Sequence, residues 1–463
     1  MCLFQMNAGS ESVNRNDLFE TMRPARALAV MAVPTIASQL IVLAYNLADT
    51  WFIGRTNNPY MIGASSLVLT LYLAAVALAN VFGVGGGSLM TRRMGEKKMD
   101  EARRVASYSV AAAALSALVF SLLVLIFMDP LLRLLGASEN TYAYGRQYLM
   151  AAVVVGGIPT VLSMCMPMLL RNAGYSREAG LGVGLGGILN VLLDPLFMFA
   201  LLPKGNEVLG AAVATMLSNV ATLIYFIVMF RKVRDKTPLV LPRRIEKIGR
   251  ENARSLYSVG IPAAISIFLF DLATIVINRL VVAYGDVPLA AMGIVLKLER
   301  IPVNIGLGVC LGMVPLVAYN YASGNHARMK RFVDLARIAI LAFSCACVAL
   351  FWIFAQPIVG AFIKDEETVR LGAQFLRGRC FALPFMMIGY HIVNTMNAVG
   401  RGKVSFLQAI IRHLVLIIPL LIVMNSLFGL DGLIWAQLVA DVINAGIAIM
   451  FYRNAIKQMN GMI

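Results

Sequence analysis

The sequence Gly186-Gly-Ile-Leu-Asn190-Val-Leu-Leu-Asp194-Pro195-Leu-Phe197 lies inside an apolar run that extends from residue 181 to residue 202. A run of this length can cross a lipid bilayer as one helix. A carboxylate near the centre of such a helix costs roughly 2.5–3.5 kcal/mol on insertion scales. Asn190 lies one turn before Asp194, so the two side chains share a helix face, and Pro195 removes a backbone hydrogen bond at the same level. The stretch therefore predicts a membrane-spanning helix whose polar turn is directed away from lipid.

Two interpretations of this polar turn are open. Carboxylate and amide oxygens are hard ligands that suit a proton or a small cation, and acids inside membranes generally mark functional sites. The alternative is that Asp194 is structural and forms a hydrogen bond to a neighbouring helix.

The composition of the chain indicates its class. Of its 463 residues, 59% are hydrophobic and 14% are charged, which excludes an ordinary soluble globular protein. The net charge of +16 would suggest a nucleic-acid partner for a soluble protein. Here the basic residues fall in short segments between apolar runs, as the positive-inside rule describes, so we expect a lipid bilayer and no nucleic acid. The cysteines have no metal-ligand spacing.

Apolar runs of spanning length recur along the whole chain. They predict an all-α polytopic membrane protein with about twelve transmembrane helices. The predicted spans are residues 27–53, 61–90, 105–128, 147–170, 181–202, 210–230, 256–283, 288–319, 336–360, 371–397, 404–425 and 432–452.

The loops between these runs alternate between rich and poor in Lys and Arg. The loops after the second, fourth, sixth, eighth and tenth runs are basic, and so is the segment after the twelfth, whereas the others hold few basic residues. This alternation predicts that both termini are cytosolic and that the protein is multi-pass in the plasma membrane, the inner membrane of a bacterium.

The two halves of the sequence resemble each other. Pro59, Gly83 and Gly95 recur at a constant shift as Pro288, Gly312 and Gly324. Each half holds an even number of spans, so the halves have the same orientation and form two pseudo-symmetric six-helix bundles that can rock about a central cavity. The predicted parts are a cytosolic segment 1–26, an N-lobe 27–230, a basic linker 231–254, a C-lobe 255–453 and a cytosolic tail 454–463. We expect the protein to function as a monomer.

Asp49 is the second acidic candidate in the first half. It lies near the outer end of the first span, and Tyr45 and Asn46 precede it by four and three residues, which forms a polar helix face. If Asp49 and Asp194 face one cavity, they would share a cation, and each would raise the proton affinity of the other. The alternative for Asp49 is a carboxylate that extends to the membrane interface.

Several motifs resemble the multidrug and toxic compound extrusion (MATE) family, and together they resemble its DinF-like branch. They are Asn-Leu-Ala-Asp49-Thr in the first span, Arg-Asn-Ala-Gly after the fourth, Asn190-x-x-x-Asp194-Pro in the fifth and Gly210-Ala-Ala-x-Ala-Thr215 in the sixth. The resemblance covers essentially the whole chain. It implies a transporter, not an enzyme, that exports small organic and mostly cationic compounds in exchange for H⁺ or Na⁺. The implied ion site is Asp49, Asn190, Asp194 and Thr215, with no other metal and no cofactor.

The second half carries polar residues of its own inside apolar runs. Asp271 and Glu299 could bind a cationic substrate or a second proton, and His413 falls near the repeat position of Asn190. The alternatives are an ion pair for Glu299, with Arg300 or with a residue on another helix, and an interhelical hydrogen bond for His413.

Two other functions are compatible with parts of the sequence. A lipid-linked saccharide flippase of the same superfamily would need a strongly cationic cavity. A membrane-embedded transferase would need a substantial polar loop with clustered acids or histidines, and the loops on the outer side are short. No ATP-binding motif is present, so an ion gradient is the expected energy source.

Overall fold

The computed structural model describes the backbone of residues 15–56, 58–242 and 246–460, and the side chains of these residues except 15–16, 271 and 458–460. In this part of the chain all regular structure is helical. The α-helices are α1 (Arg15–Glu20), α2 (Pro24–Gly54), α3 (Pro59–Gly95), α4 (Met99–Ile126), α5 (Met128–Leu134), α6 (Glu139–Leu149), α7 (Gly157–Asn172), α8 (Ser176–Pro195), α9 (Glu207–Val233), α10 (Arg250–Val281), α11 (Asp286–Ala322), α12 (His326–Gly360), α13 (Glu366–Cys380), α14 (Leu383–Ala398), α15 (Gly402–Ile410) and α16 (Ile418–Asn460). Three π-helical segments, Met150–Val155, Leu196–Leu201 and Ile411–Ile417, and a 3₁₀ turn, Val282–Tyr284, complete them.

The predicted number of spans agrees with these helices. Nine described helices are long and apolar enough to cross a membrane, and the pair Glu139–Val155 and Gly157–Asn172, bent by 54°, adds a tenth span. The last of the nine covers 56 residues, roughly 84 Å of helix, which is about twice the thickness of a bilayer. It is interrupted at Gly429, where φ is 58°, and therefore supplies two crossings. These helices are roughly consistent with about twelve crossings, and the prediction of a polytopic all-α fold is confirmed.

The helices extend beyond the predicted spans at the end of the bundle that carries the basic loops, which we call the basic end. For example, α3 continues to Gly95 and α11 to Ala322, past residues 90 and 319, where the predicted spans end. The linker predicted as residues 231–254 is shorter in the structure, because α9 continues to Val233 and α10 begins at Arg250. Residues 243–245 of this linker lie outside the described part of the chain.

Helices of the two halves pack along a seam formed by α2 and α3 on one side and α10 and α11 on the other. Glycine makes the close approach possible. A Cβ on Gly260 in α10 would lie 2.1 Å from the carbonyl oxygen of Val81 in α3, and a Cβ on Gly85 would lie 2.5 Å from that of Leu256. Small residues are the usual means by which membrane helices approach each other so closely.

Polar contacts add to this packing at the basic end. Arg93 in α3 donates a 2.9 Å hydrogen bond to the side chain of Asn252 and forms an ion pair with Glu251, both in α10. The ring of Phe19 in α1 stacks on Tyr319 in α11 with centroids 4.7 Å apart, and Arg328 donates to the carbonyl oxygen of Phe19. These contacts attach the short α1 to the second half.

Candidate functional site

A glycine-lined face of α8 packs along α2 and places the two predicted acids on facing helices. A Cβ on Gly180 would lie 2.8 Å from the carbonyl oxygen of Pro34, and one on Gly187 would lie 2.9 Å from the ring of Tyr45. Asp49 follows Tyr45 by one turn, and Asp194 follows Gly187 by two turns, so each acid continues the face that makes the contact. The contact between α2 and α8 therefore brings the two carboxylates into the same region of the first half.

The polar turn of α8 connects to α9. Asn190 Nδ2 donates one hydrogen bond to Asp194 Oδ1 and another to Thr215 Oγ1, each at 3.4 Å. Asn190 and Asp194 are buried, with exposed fractions of 5% and 0%. Pro195 ends α8, and the chain continues as the π-helical segment Leu196–Leu201, so the hydrogen-bond pattern changes directly after the carboxylate. Three of the four predicted site residues are thus joined by hydrogen bonds.

Asp49, the fourth predicted residue, has no direct hydrogen bond to these three. Its charge and that of Asp194 are close enough to repel each other. Oδ1 of Asp49 and Oδ2 of Asp194 are buried and have no hydrogen-bond partner among the described residues. A buried carboxylate oxygen without a hydrogen-bond partner is energetically costly. Binding of a proton or a cation between the two acids would offset this cost.

The two supporting residues predicted beside Asp49 differ in position. Tyr45 packs against Gly187 and belongs to the contact between α2 and α8. Asn46 is exposed, and its carbonyl oxygen accepts the hydroxyl of Thr50 in the next turn. The described contacts therefore bring Tyr45 to the acids, and they do not bring the side chain of Asn46 there.

Two further tyrosines border the acids, and sequence reasoning did not identify them. Tyr72 in α3 and Tyr148 in α6 both lie within electrostatic reach of Asp49, and Tyr148 also lies close to Thr215. Both occur in apolar runs where an aromatic residue is ordinary, so their spacing gives no signal of a site. Only the packing of α3 and α6 around α9 places them beside the carboxylates.

The first-half site offers two carboxylates, one amide and one hydroxyl. This donor set suits a proton or a small cation bound by oxygen. Over the described residues there is no group of three or more His, Cys, Asp or Glu side chains arranged to hold a metal ion.

The second half contains two buried ion pairs. Glu299 in α11 accepts two hydrogen bonds from Arg379 in α13, at 2.8 and 2.9 Å, and Arg379 also donates to Gln437. The structure thus selects the interhelical partner for Glu299 over Arg300. Arg379 and Gln437 were missed, although an arginine inside the predicted span 371–397 signals a buried partner.

The second ion pair joins Arg412 and Asp441. The Nε–Oδ1 distance is 2.7 Å, and Arg412 also donates to the hydroxyl of Tyr390 and to His413. Arg412 and His413 lie in the π-helical segment Ile411–Ile417. The third residue predicted in this half, Asp271, has its side chain outside the described part of the chain.

A cavity lies between these ion pairs, and we call it the C-half cavity. Its walls come from α10, α11, α13, α14, the segment Ile411–Ile417 and α16. The polar lining residues are Thr274, Glu299, Arg300, Arg379, Arg412, His413 and Gln437. The structure therefore brings Glu299 and His413 to one cavity, separate from the pair of acids in the first half.

Comparison with known proteins places this architecture in a family. The MatE family model matches residues 34–196 and 262–423. Multidrug export protein MepA of Staphylococcus aureus strain MRSA252 is 30% identical over 423 residues, which cover 91% of this chain and 92% of that protein. MepA of Staphylococcus haemolyticus is 30% identical over 430 residues, 93% of each chain.

Solved structures have the same fold. A crystal structure of MATE in complex with MaL6 superposes with a TM-score of 0.90 at 22% identity, over 97% of this chain and 100% of that one. The outward-facing conformation of a multidrug resistance MATE family transporter of the MOP superfamily gives 0.87 at 23% identity, over 96% and 98%. The chain therefore belongs to the MatE family of membrane transporters.

Proposed function

We propose that this protein is a secondary antiporter that exports small, mostly cationic organic compounds in exchange for H⁺ or Na⁺. Its relatives bear the name multidrug export protein, and they match this chain over nine-tenths of its length. As a MATE transporter it is not an enzyme, and its work is the movement of a solute across a membrane.

The observation that carries the coupling mechanism is the pair of unpaired carboxylate oxygens on Asp49 and Asp194. When both acids are ionised they repel each other across the contact between α2 and α8. A proton or Na⁺ removes that repulsion. Because α2 also packs on α11 across the seam, a change in the packing of α8 on α2 reaches the second half. An ion drives this change only through its different affinities for the two packings.

Alternating access follows from two bundles that share a seam. In this proposal the N-lobe (27–230) and the C-lobe (255–453) rock against each other and open the space between them to one side at a time. The basic end faces the cytosol, since the loops there are rich in Lys and Arg, and both termini lie on that side. The protein would work as a monomer in the plasma membrane of a bacterial cell.

The experiment that tests the coupling site is dye accumulation in everted membrane vesicles. Vesicles with the wild-type protein should accumulate a fluorescent organic cation when an ion gradient is imposed, and an uncoupler should abolish this accumulation. Asp194→Asn should fail to accumulate the dye, whereas Asp286→Asn, an exposed acid in the first turn of α11, should behave as wild type. Full, uncoupler-sensitive accumulation by Asp194→Asn would exclude this site from coupling.

The coupling ion requires its own measurement, because an amide and a hydroxyl favour neither H⁺ nor Na⁺. Purified protein in proteoliposomes should be given a sodium gradient at equal pH on both sides, and separately a pH gradient without sodium. The gradient that drives dye uptake identifies the ion, and uptake driven by neither would contradict secondary antiport.

A flippase for lipid-linked saccharides is the alternative within the same superfamily, and it requires a strongly cationic cavity. The buried Arg379 and Arg412 are each neutralised by a carboxylate, Glu299 and Asp441. This pairing favours drug export. Deletion of the gene should therefore sensitise cells to organic cations and leave the synthesis of the cell envelope unchanged.

A further inference from the structure

The two buried arginines beside the C-half cavity differ in how completely they are bonded. All three nitrogens of Arg412 have partners, namely Asp441, the hydroxyl of Tyr390 and His413. In Arg379, Nε and Nη2 bind Glu299, but Nη1 is buried and has no partner among the described residues. Arg379 is 2% exposed and lines the cavity, so this N–H group is a donor that the fold leaves unsatisfied.

A second buried and unsatisfied atom, Nδ1, belongs to His413, which also lines this cavity. This side chain is 5% exposed, and its Nδ1 has no partner among the described residues. Its other ring nitrogen, Nε2, lies 3.4 Å from Arg412 Nη1. Arginine can only donate, so Nε2 must accept, and the ring proton of a neutral imidazole is then on Nδ1. His413 therefore presents a second N–H donor.

The charges around the cavity determine which ligand these donors suit. Glu299 is held by Arg379 and Asp441 by Arg412, so neither carboxylate is free to bind a cation. Among the lining residues whose side chains the structure describes, the remaining charged one is Arg300, which is basic. Phe270, Met386 and Leu296 supply apolar wall, and the ring of Phe270 lies edge-on to His413 with centroids 6.0 Å apart. Two residues with unsatisfied buried donors thus line a cavity whose wall is otherwise largely apolar.

We propose that the C-half cavity binds the carboxylate of an amphipathic organic compound, with Arg379 Nη1 and His413 Nδ1 as the donors. This inference rests on the proposed export function and defines a substrate class for it. Compounds that carry both a cationic group and a carboxylate would be recognised at this cavity through the carboxylate. Glu299 then acts by holding Arg379 in place and does not itself contact the substrate.

The test uses a matched pair of dyes and purified protein in detergent. One dye is a zwitterionic rhodamine with a free benzoate group, and the other is its methyl ester, a cation with the same ring system. Fluorescence anisotropy gives the Kd of each dye, and the ratio of the two values measures recognition of the carboxylate. The wild-type protein should bind the free acid about tenfold more tightly, as expected for hydrogen bonds to a charged group.

Variants of His413 distinguish the effect of its N–H donor on binding from the effect of its side-chain shape. His413→Phe removes the N–H, whereas His413→Gln retains one. In His413→Phe, Arg412 Nη1 retains its 3.2 Å bond to Tyr390, so the ion pair beside it remains satisfied. We expect His413→Phe to lose most of the preference for the acid and to bind the ester as wild type does. His413→Gln should retain at least part of the preference.

Arg379→Lys provides the second test. Lysine keeps a positive charge beside Glu299. It lacks the planar guanidinium, whose Nη1 remains free when Nε and Nη2 bind the carboxylate. This variant should lose the preference for the acid and bind the ester unchanged, with size-exclusion chromatography and thermal unfolding confirming that it is folded.

Three results would overturn the proposal. They are equal affinity of the wild type for acid and ester, no saturable binding of the acid, and an unchanged preference in His413→Phe. Failure of the proposed antiport is a different result, because Asp194→Asn would then transport the ester normally. We expect Asp194→Asn to retain the preference for the acid in binding, since Asp194 lies in the other half.

Discussion

The hydroxyl of Tyr319 in α11 donates a 2.5 Å hydrogen bond to the carboxylate of Glu20 at the end of α1. Lys97, in the loop between α3 and α4, donates to the same carboxylate and also to Tyr319, at 2.9 Å. The three residues join the segment before α2, the α3–α4 loop and the second half. These hydrogen bonds connect the two halves at the basic end.

The first prediction concerns the pH dependence of this contact. Hydrogen bonds from Lys97 and Tyr319 hold the pKa of Glu20 below its ordinary value of 4.5, and the bond to Glu20 raises the pKa of Lys97 to about 12. A carboxylate with a lowered pKa stabilises the fold above its ordinary pKa and loses this effect as the pH falls through the lowered value. Glu20→Gln should therefore lower the Tm slightly near neutral pH, and the difference should shrink below pH 4.5.

The size of this effect is limited because the Glu20 side chain is 41% exposed. We expect less than about 1 kcal/mol, as for other exposed pairs. Tyr319→Phe is the matched variant, since it keeps the ring stacked on Phe19 and removes only the hydroxyl. If the difference in Tm between wild type and Glu20→Gln were the same below pH 4.5 as near neutral pH, this explanation would be contradicted.

The second prediction concerns Thr215. Thr215→Val keeps the shape of the side chain but removes the oxygen that accepts from Asn190 Nδ2. The amide would then be held less firmly beside Asp194, and ion-driven dye accumulation in vesicles should fall several-fold. Thr215→Ser retains the oxygen and should stay near wild type. Equal activity of the valine and serine variants would assign Thr215 a packing role alone.

The third prediction concerns the close approach of α3 and α10. Gly260→Ala places a methyl group 2.1 Å from the carbonyl oxygen of Val81, so the two helices must separate around this contact. Gly446→Ala in α16 is the control, because its Cβ would meet no atom within 4 Å. A cysteine pair across the seam, at Arg93 and Asn252, should form a disulfide less readily in Gly260→Ala. Unchanged cross-linking would show that the seam can absorb the methyl group.

The fourth prediction concerns the buried pair Arg412–Asp441. Asp441 is 0% exposed, so Asp441→Asn leaves the guanidinium charge of Arg412 without its counter-charge inside the second half. Loss of one partner of a buried pair costs about 3–5 kcal/mol. Asp334→Asn removes an exposed i,i+3 partner of Arg337 and should cost at most about 1 kcal/mol. Thermal unfolding in detergent compares the loss of stability in Asp441→Asn with that in Asp334→Asn.

Much of the fold could be predicted from the sequence because apolar length determines membrane crossing. The runs that predicted α2 and α3 mark the part of each helix that suits lipid, and the structure extends both helices into charged residues. The break within the last long helix was also predictable, because Gly429 lies in the gap between two runs.

The site was predicted only in part, for a physical reason. The Asn190–Asp194 spacing is a property of one helix, so it can be read from residues four apart. The proximity of Asp49 and Asp194 depends on the packing of α2 on α8. In the sequence, this packing is indicated only by the glycines at positions 180, 184 and 187, which lie on one face of α8. The partner of Glu299 could not be chosen from sequence, because Arg379 lies 80 positions away on another helix.

The π-helical segment Leu196–Leu201 has a mechanical consequence for α8. A π turn contains an additional residue compared with an α turn. Tightening it to α geometry would rotate the following residues by about 100° about the axis, without unfolding the helix. The Asn190–Asp194 spacing lies before this point and would be unaffected. The far end of this span can thus rotate about the helix axis while Asn190 and Asp194, the proposed ion-binding residues, keep their positions.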